Sequence, residues 1–341
     1  MNYDWILDGG YLPNAVIRLG IRRQLRERIE LIKSTSLEEA YERKMKYVEL
    51  LRSRPIAIET AAANEQHYEV GTGVLAACLG PRMKYSCCLY PKGSETLGQA
   101  EVEMLETYVK KAELKDGMSI LDLGCGWGSG ALYFAEVLPN SKITAFSNSR
   151  TQKLYIDEKA KEKGLNNLTV ITGNVVDYEF EKESFDRVVS IELFEHMKNY
   201  ELLMSKVGRA LKPGGKLFVH IFAHKTTPYD FEEGWMSTHF FVIWRYYALS
   251  GLVVILPERP QTREAMVGEW PALRKDLRRL AIEDGSKQAG DLASPNRNIR
   301  REGYRNVVLP LANLLPGKLF AYEGGDTWGV SHYLFEKPSS S

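Results

Sequence analysis

The first sixty residues carry apolar positions interleaved with charge in the manner of amphipathic helices. Ala15, Ile17, Leu19, Ile21 and Leu25 mix with Arg18, Arg22, Arg23, Arg26 and Arg28, and a second helical stretch runs from Leu37 to about Leu51. The arginines read as a solvated basic face. A lid, or a surface helix near anionic lipid, is the sharper alternative. From about residue 117 the pattern changes to short apolar runs separated by helical ones. Ser119–Leu123, Lys142–Phe146, Leu168–Thr172, Arg187–Ile191 and Lys216–His220 are five predicted strands, and Gly-Leu-Asn-Asn (164–167) and Lys-Pro-Gly-Gly (212–215) supply helix stops and turns. Strands at this spacing with helices between them imply right-handed crossovers and a parallel sheet covered on both faces. Ligands on such a sheet lie at the carboxyl ends of the strands.

Composition narrows the classes without choosing among them. The 341 residues include 45 Lys+Arg against 44 Asp+Glu, a formal charge of +1, which argues against non-specific nucleic-acid binding. No run reaches 18 apolar residues, so no membrane span is expected. Four cysteines (Cys78, Cys87, Cys88, Cys125) in so long a chain are not a secreted disulfide framework, no CxxC pair suggests zinc, and no metal is expected. No signal peptide is visible, and the expected location is the cytoplasm.

The first predicted strand runs into Leu121-Asp-Leu-Gly-Cys-Gly-Trp-Gly128. Gly124, Gly126 and Gly128 let the backbone turn tightly and approach a ligand. Glycines alone leave a dinucleotide site or a purely structural turn open. With Asp122 before them and no P-loop Lys-Ser/Thr after them, the DxGxGxG pattern resembles motif I of class I methyltransferases, which implies S-adenosylmethionine as cofactor. After the second strand, where an acid usually holds the ribose, stand Ser147, Asn148 and Gln152, so neutral groups are expected to do that work. Asn174 follows the third strand and can accept from an adenine amino group through its amide oxygen.

After the fourth strand come Glu192, Glu195 and His196, three ionisable residues within five at a strand's carboxyl end. Capping and loop roles are the bland reading, but the arrangement is costly without use. Tyr85-Ser-Cys-Cys88, the glycine loop, Ser147-Asn-Ser149, Glu192-Leu-Phe-Glu-His-Met-Lys-Asn-Tyr-Glu201, His220-Ile-Phe222 and Trp328-Gly-Val-Ser-His-Tyr-Leu-Phe335 together resemble the coclaurine N-methyltransferase family, plant-type amine N-methyltransferases related to the cyclopropane fatty acid synthases. Leu12-Pro13 and Gly20-Ile-Arg-Arg23 match too, and the resemblance covers about residues 3–240 and 320–337.

The resemblance implies that Glu195 and His196 carry the reaction and that Glu192 helps to position it, with Ser86 at the cofactor and Glu69 holding the cationic amine. In the cyclopropane branch, Cys87 and His220 would help to hold bicarbonate as base, and both residues are present. The expected fold is α/β, a Rossmann-like class I methyltransferase with a mostly parallel sheet, a helical N-terminal extension or lid (1–95), a cofactor-binding core (96–240), a cap (241–320) and a C-terminal strand and tail (321–341). The expected reaction is methylation of an amine nitrogen in a small, isoquinoline-alkaloid-like metabolite. Methylenation of a lipid alkene, or a catalytically impaired binding protein, are the alternatives. The expected partner is the amine, with a homodimer admitted and no nucleic acid.

The Arg:Lys preference reverses inside the chain. Residues 241–320 hold 10 Arg and 3 Lys, and the remaining 261 hold 12 Arg and 20 Lys. Periodicity is poor there and six prolines interrupt it. Trp244–Leu252 can be encoded TGG AGG TAT TAT GCC CTC AGC GGA CTN, which one nucleotide later reads Gly-Gly-Ile-Met-Pro-Ser-Ala-Asp, as the family has at that place. Two further windows, from Ala265 and from Asn298, allow family-like readings in the same shifted frame. The sequence therefore suggests an out-of-frame segment over about 242–318, with a divergent substrate cap as the alternative.

Overall fold

The computed structural model describes residues 11–57, 79–230, 322 and 327–339. Glu69, the cap and the 242–318 segment with its out-of-frame reading lie outside the described residues. Helices α1 (Asn14–Ile32) and α2 (Leu37–Arg52) open the chain. Ser36 caps α2 by accepting the Glu39 N–H, and Glu38 and Glu39 occupy its first turn, where acidic groups suit the helix dipole. The basic face of α1 is mostly exposed, whereas Ile21, Leu25 and Ile32 pack with Tyr229 and Trp328.

Residues 79–96 run as irregular loop into α3 (Leu97–Lys111), which starts at a reciprocal capping box between Thr96 and Gln99. Alternation then follows the sequence reading: β1 (Ser119–Leu123), α4 (Ser129–Val137), β2 (Lys142–Ser147), α5 (Arg150–Glu162), β3 (Leu168–Thr172), β4 (Phe185–Ile191), a 3-10 turn (Phe194–His196), α6 (Tyr200–Ala210), β5 (Leu211–His224) and β6 (Trp328–Glu336). The sheet order is β3-β2-β1-β4-β5-β6, all parallel except the β5–β6 pair. Lys212–Gly215, expected as a helix stop and turn, follows directly on the end of α6. It forms an irregularity inside β5, and regular pairing resumes at Arg187↔Lys216.

Period-two alternation sorts the strand residues onto two faces. Ile120, Ile143, Ala145, Val170, Val189 and Phe218 meet α3, α4 and α5 on one side. Leu121, Leu123, Phe146, Val188, Leu217 and Val219 meet α2 and α6 on the other. Both faces are buried, and the strand order reverses direction between β1 and β4. That switch point is where an open α/β sheet leaves a crevice.

Candidate active site

Four segments converge at the crevice: the glycine loop after β1, the turn after β4, the loop before α3, and the facing strands β5 and β6. The glycine loop is tightly wound. Gly124, Gly126 and Gly128 all have positive φ. A Cβ on Gly128 would lie 2.6 Å from Ile156 Cγ1, whereas one on Gly126 would meet nothing within 4 Å. Gly128 is therefore needed for packing, and Gly126 faces open space. α4 begins at Gly128 without a side-chain cap, and the Ser129 hydroxyl beside it is buried with no hydrogen-bond partner. A helix start left uncapped next to open space fits a polar ligand such as S-adenosylmethionine.

Asp122 lies beneath this loop, 2% exposed, and burial pushes its carboxyl up to about 7 against the opposing pull of the Ala131 N–H and Lys84. It supports the loop from below. At the end of β2, Ser147 and Gln152 are buried and bonded to each other, the Ser147 hydroxyl donating to Gln152 Oε1 at 2.6 Å, and the Ser149 N–H donates to Ser147 Oγ at 3.0 Å. Asn148 sits half-buried between them. Asn174 Oδ1 accepts the Val176 N–H at 3.0 Å while its Nδ2 donates to Asp177. One lone pair of the amide oxygen is thus spent on a local turn.

The reacting side is built on a strained residue. Glu192 follows β4 at φ 51°, a left-handed conformation unusual for a non-glycine residue. Its N–H donates to the His220 carbonyl at 2.9 Å, and its Oε1 accepts the Cys87 N–H at 3.0 Å and lies 3.3 Å from His220 Nε2. Cys87 Sγ is 3.4 Å from the same nitrogen. Glu195, in the 3-10 turn, accepts the Phe222 N–H at 3.0 Å through Oε1, while its Oε2 is buried without a partner among the described residues. Burial, then repulsion from Glu192, holds the Glu195 carboxyl well above the ordinary range, and burial raises Glu192 against the pull of Lys84. His196, half-buried, ends the turn.

The structure thus brings Glu192, Glu195, His196, Cys87 and His220 together, with Ser86 alongside. It also adds Lys84, which the sequence gives no reason to single out. Lys84 is 4% exposed, and its ammonium reaches the Ser86 hydroxyl and the Tyr108 hydroxyl, the latter at 3.1 Å. The buried Glu101 carboxylate accepts the Arg82 and Lys84 N–H groups and fixes this loop. Ligand atoms of Cys87, Glu192 and His220 lie within 4.8 Å of one another.

The turn itself is clamped from the N-terminal side. Lys198 N–H donates to the Ile56 carbonyl, Asn199 Nδ2 donates to the Arg52 and Arg54 carbonyls, and Asp230 gathers Tyr47, Arg54 and the buried Lys198 ammonium.

A glycine loop at the switch point of this sheet, with paired carboxylates opposite it, defines a class I S-adenosylmethionine-dependent methyltransferase. Comparison with known proteins makes the assignment specific. The profile of mycolic acid cyclopropane synthetase matches residues 57–243. The (S)-coclaurine N-methyltransferase of Thalictrum flavum subsp. glaucum is 32% identical over 349 residues, covering 97% of this chain and 94% of the relative. The crystal structure of coclaurine N-methyltransferase bound to N-methylheliamine and SAH superposes with a TM-score of 0.82 at 29% identity, covering 97% of this chain and 98% of that one. The cyclopropane synthase of Mycobacterium tuberculosis shares the fold, with a TM-score of 0.60 at 17% identity over 83% of this chain and all of that one. The chain belongs to the coclaurine N-methyltransferase branch of the mycolic acid cyclopropane synthetase family, and it is an S-adenosylmethionine-dependent N-methyltransferase. Among the described residues no helix is long and apolar enough to cross a membrane.

Proposed function

We propose that the chain methylates a ring amine of a small isoquinoline-like metabolite, with Glu195 and His196 at the reacting nitrogen and Glu192 positioning them. The observation that carries this assignment is the unpartnered, buried Oε2 of Glu195 beside Glu192 and one residue before His196. When bound, S-adenosylmethionine supplies an electrophilic methyl group on a sulfonium. Gly124, Gly126 and Gly128 would take its close backbone approach, Ser86, Ser147, Asn148, Gln152 and Asn174 its polar groups, and Asp122 the support of the loop. The chain's own work is to hold the amine in line and to remove its proton, since only the neutral amine has a lone pair to donate. His196 accepts that proton directly or through water, and Glu195 orients it and stabilises the positive charge that arrives on nitrogen. The three free cysteines among the described residues, Cys87, Cys88 and Cys125, support a reducing, cytoplasmic setting.

A second reading rests on Cys87 and His220, whose Sγ and Nε2 lie 3.4 Å apart and which would help to hold bicarbonate as base in lipid cyclopropanation. Labelled methyl transfer from S-adenosylmethionine to a panel of tetrahydroisoquinolines, run beside unsaturated phospholipid, separates the two. Transfer to lipid alone overturns the amine assignment. The profile match ends at residue 243, beside the Arg-rich stretch, and we carry the out-of-frame reading of 242–318 forward with it. Sequencing the messenger across that interval tests it, and an in-frame match without the proposed codons ends it.

A further inference from the structure

The antiparallel pair β5–β6 sets His220 directly opposite His332, with His332 Nε2 2.8 Å from His220 Nδ1. The other nitrogen of His220, Nε2, is the one that lies 3.3 Å from Glu192 Oε1. A continuous line therefore runs from a site carboxylate through two imidazoles to the edge strand. It ends there: His332 Nδ1 is buried and has no hydrogen-bond partner among the described residues. Aromatic rings enclose the line. Tyr108 packs edge-on to both imidazoles, at 5.4 and 6.1 Å, and Phe218 lies 5.2 Å from His332. Burial, reinforced by the Lys84 and Lys111 charges, holds both imidazoles well below their usual range, so both are neutral near pH 7.

Two neutral imidazoles facing each other nitrogen to nitrogen share one proton, and there are two ways to place it. If His220 keeps it on Nδ1, the bare Nε2 lone pair faces Glu192 Oε1, and an ionised Glu192 repels it. If His332 keeps it on Nε2, then His220 carries its proton on Nε2 and donates to Glu192, a charge-assisted bond. The second arrangement satisfies every group except His332 Nδ1, which is left as a bare acceptor. It also fits the other groups facing Glu192: Lys84 and Cys87 from the loop before α3, Tyr108 from α3, and Glu195 and His196 from the turn. Burial raises the Glu192 carboxyl, and Lys84 and the Cys87 N–H both pull against that, toward the ionised form.

We propose that His332 is a positioning residue for methyl transfer: its Nε2–H donates to His220 Nδ1, which fixes the His220 tautomer and aims its Nε2–H at Glu192. The role rests on the methyltransferase reading of the site, and it extends that site to a strand more than a hundred residues further along the chain.

Two variants and one spectrum test it on the full chain. His332→Phe fills the space but removes the donor, and His332→Gln restores an amide N–H at similar reach. With an accepted amine, H332F lowers kcat about tenfold, the scale of one lost hydrogen bond between neutral groups, and leaves KM for S-adenosylmethionine unchanged. Its acid limb moves to higher pH, because an ionised Glu192 has lost a donor. H332Q recovers kcat to within about threefold and returns the limb. Imidazole 15N spectra with SAH added, assigned among the six histidines by these variants, show His220 protonated at Nε2 and bare at Nδ1. A parent spectrum with His220 protonated at Nδ1 overturns the proposal, as does an H332Q as impaired as H332F with an unmoved limb. If no amine is methylated, the proposed substrate fails, while the spectrum still decides the relay.

Discussion

Gly126 and Gly128 stand two residues apart with the same backbone handedness, and the structure predicts opposite consequences for the same substitution. Gly128→Ala puts a Cβ 2.6 Å from Ile156 Cγ1 and 2.9 Å from its Cδ1, at φ 79°. The left-handed conformation costs a non-glycine residue about 1 kcal/mol. Overpacking a fully buried isoleucine adds about 1–3 kcal/mol, for a total of about 2–4 kcal/mol of lost stability before any ligand is present. Gly126→Ala, at φ 52° with nothing within 4 Å, carries only the conformational part, about 1 kcal/mol.

The open space above Gly126 is where the cofactor is expected, so G126A should lose ligand affinity out of proportion to its stability. Urea unfolding with and without SAH reads both quantities. At a hundred times its Kd, SAH stabilises the parent by about 2.7 kcal/mol. G126A should show most of that increment gone, and G128A should show a low midpoint before SAH is added. Ile156→Ala gives an internal control. Combined with G128A it removes the clashing atoms, so the double variant should be about 1–3 kcal/mol more stable than the sum of the single effects. A G126A that gains the full SAH increment refutes the placement of the cofactor over that glycine. Strict additivity in the Ile156 cycle refutes the packing role of Gly128.

The remaining predictions concern charge. Asp122 holds its proton to about pH 7 in the folded chain, and an unfolded aspartate loses it near 3.8, so stability falls as pH rises through that window. Between pH 5 and pH 7 the parent should lose about 2 kcal/mol relative to Asp122→Asn, read by urea unfolding without cofactor. Glu195 is held protonated above the ordinary carboxylate range by burial and by Glu192. The rate of amine methylation should therefore still be rising at pH values where exposed carboxylates are fully ionised, and Glu195→Gln should remove its share of that limb, leaving the share set by Glu192, and lower kcat by at least a hundredfold. An unchanged profile removes Glu195 from the reaction. Asp230→Ala removes an acidic partner of the Lys198 ammonium, whose side chain is 1% exposed, and should cost about 3 kcal/mol. A loss under 1 kcal/mol would show that the Tyr47–Arg54–Lys198 cluster does not clamp the turn.

What the chain discloses by itself depends on how local the signal is. The five parallel strands were legible because their apolar runs are bounded by glycine and helix stops, and β1, β2 and β3 fall within one residue of the expected limits. Glu192, Glu195 and His196 were legible because five consecutive positions carry three ionisable groups. Lys84 was not, since it lies in a loop without periodicity and acquires its role from Tyr108 and Ser86, which fold around it. The His332 partnership was also hidden. Its motif was visible, but its meaning depends on the antiparallel register of β6 against β5. Sequence spacing does not encode that register. Ser147, Gln152 and Asn174 were read as open ligand-binding groups, and the fold shows them partly occupied with one another and with local backbone.

Under the proposed reaction, the charge arithmetic of the site explains why it needs buried carboxylates rather than a single exposed base. In-line transfer moves a positive charge from sulfur to nitrogen without changing the total, so no net charge has to be neutralised. What changes is its position. A group that stabilises the arriving charge must sit at the nitrogen and must not be screened by water, which places it in a desolvated pocket. Desolvation alone would protonate both Glu192 and Glu195 and remove the stabilisation. Lys84 counters this by favouring ionisation of Glu192, the Cys87 N–H does the same at 3.0 Å, and the mutual repulsion of the two acids leaves the remaining proton on Glu195. The cluster can take up the cationic amine with release of a proton from Glu195, which burial and Glu192 hold well above the ordinary carboxylate range. A site with both acids exposed would be ionised throughout and would bind ammonium well, but it would hold the amine protonated and unable to attack. The burial that makes Glu195 a poor carboxylate at rest is therefore what lets it respond when the amine arrives.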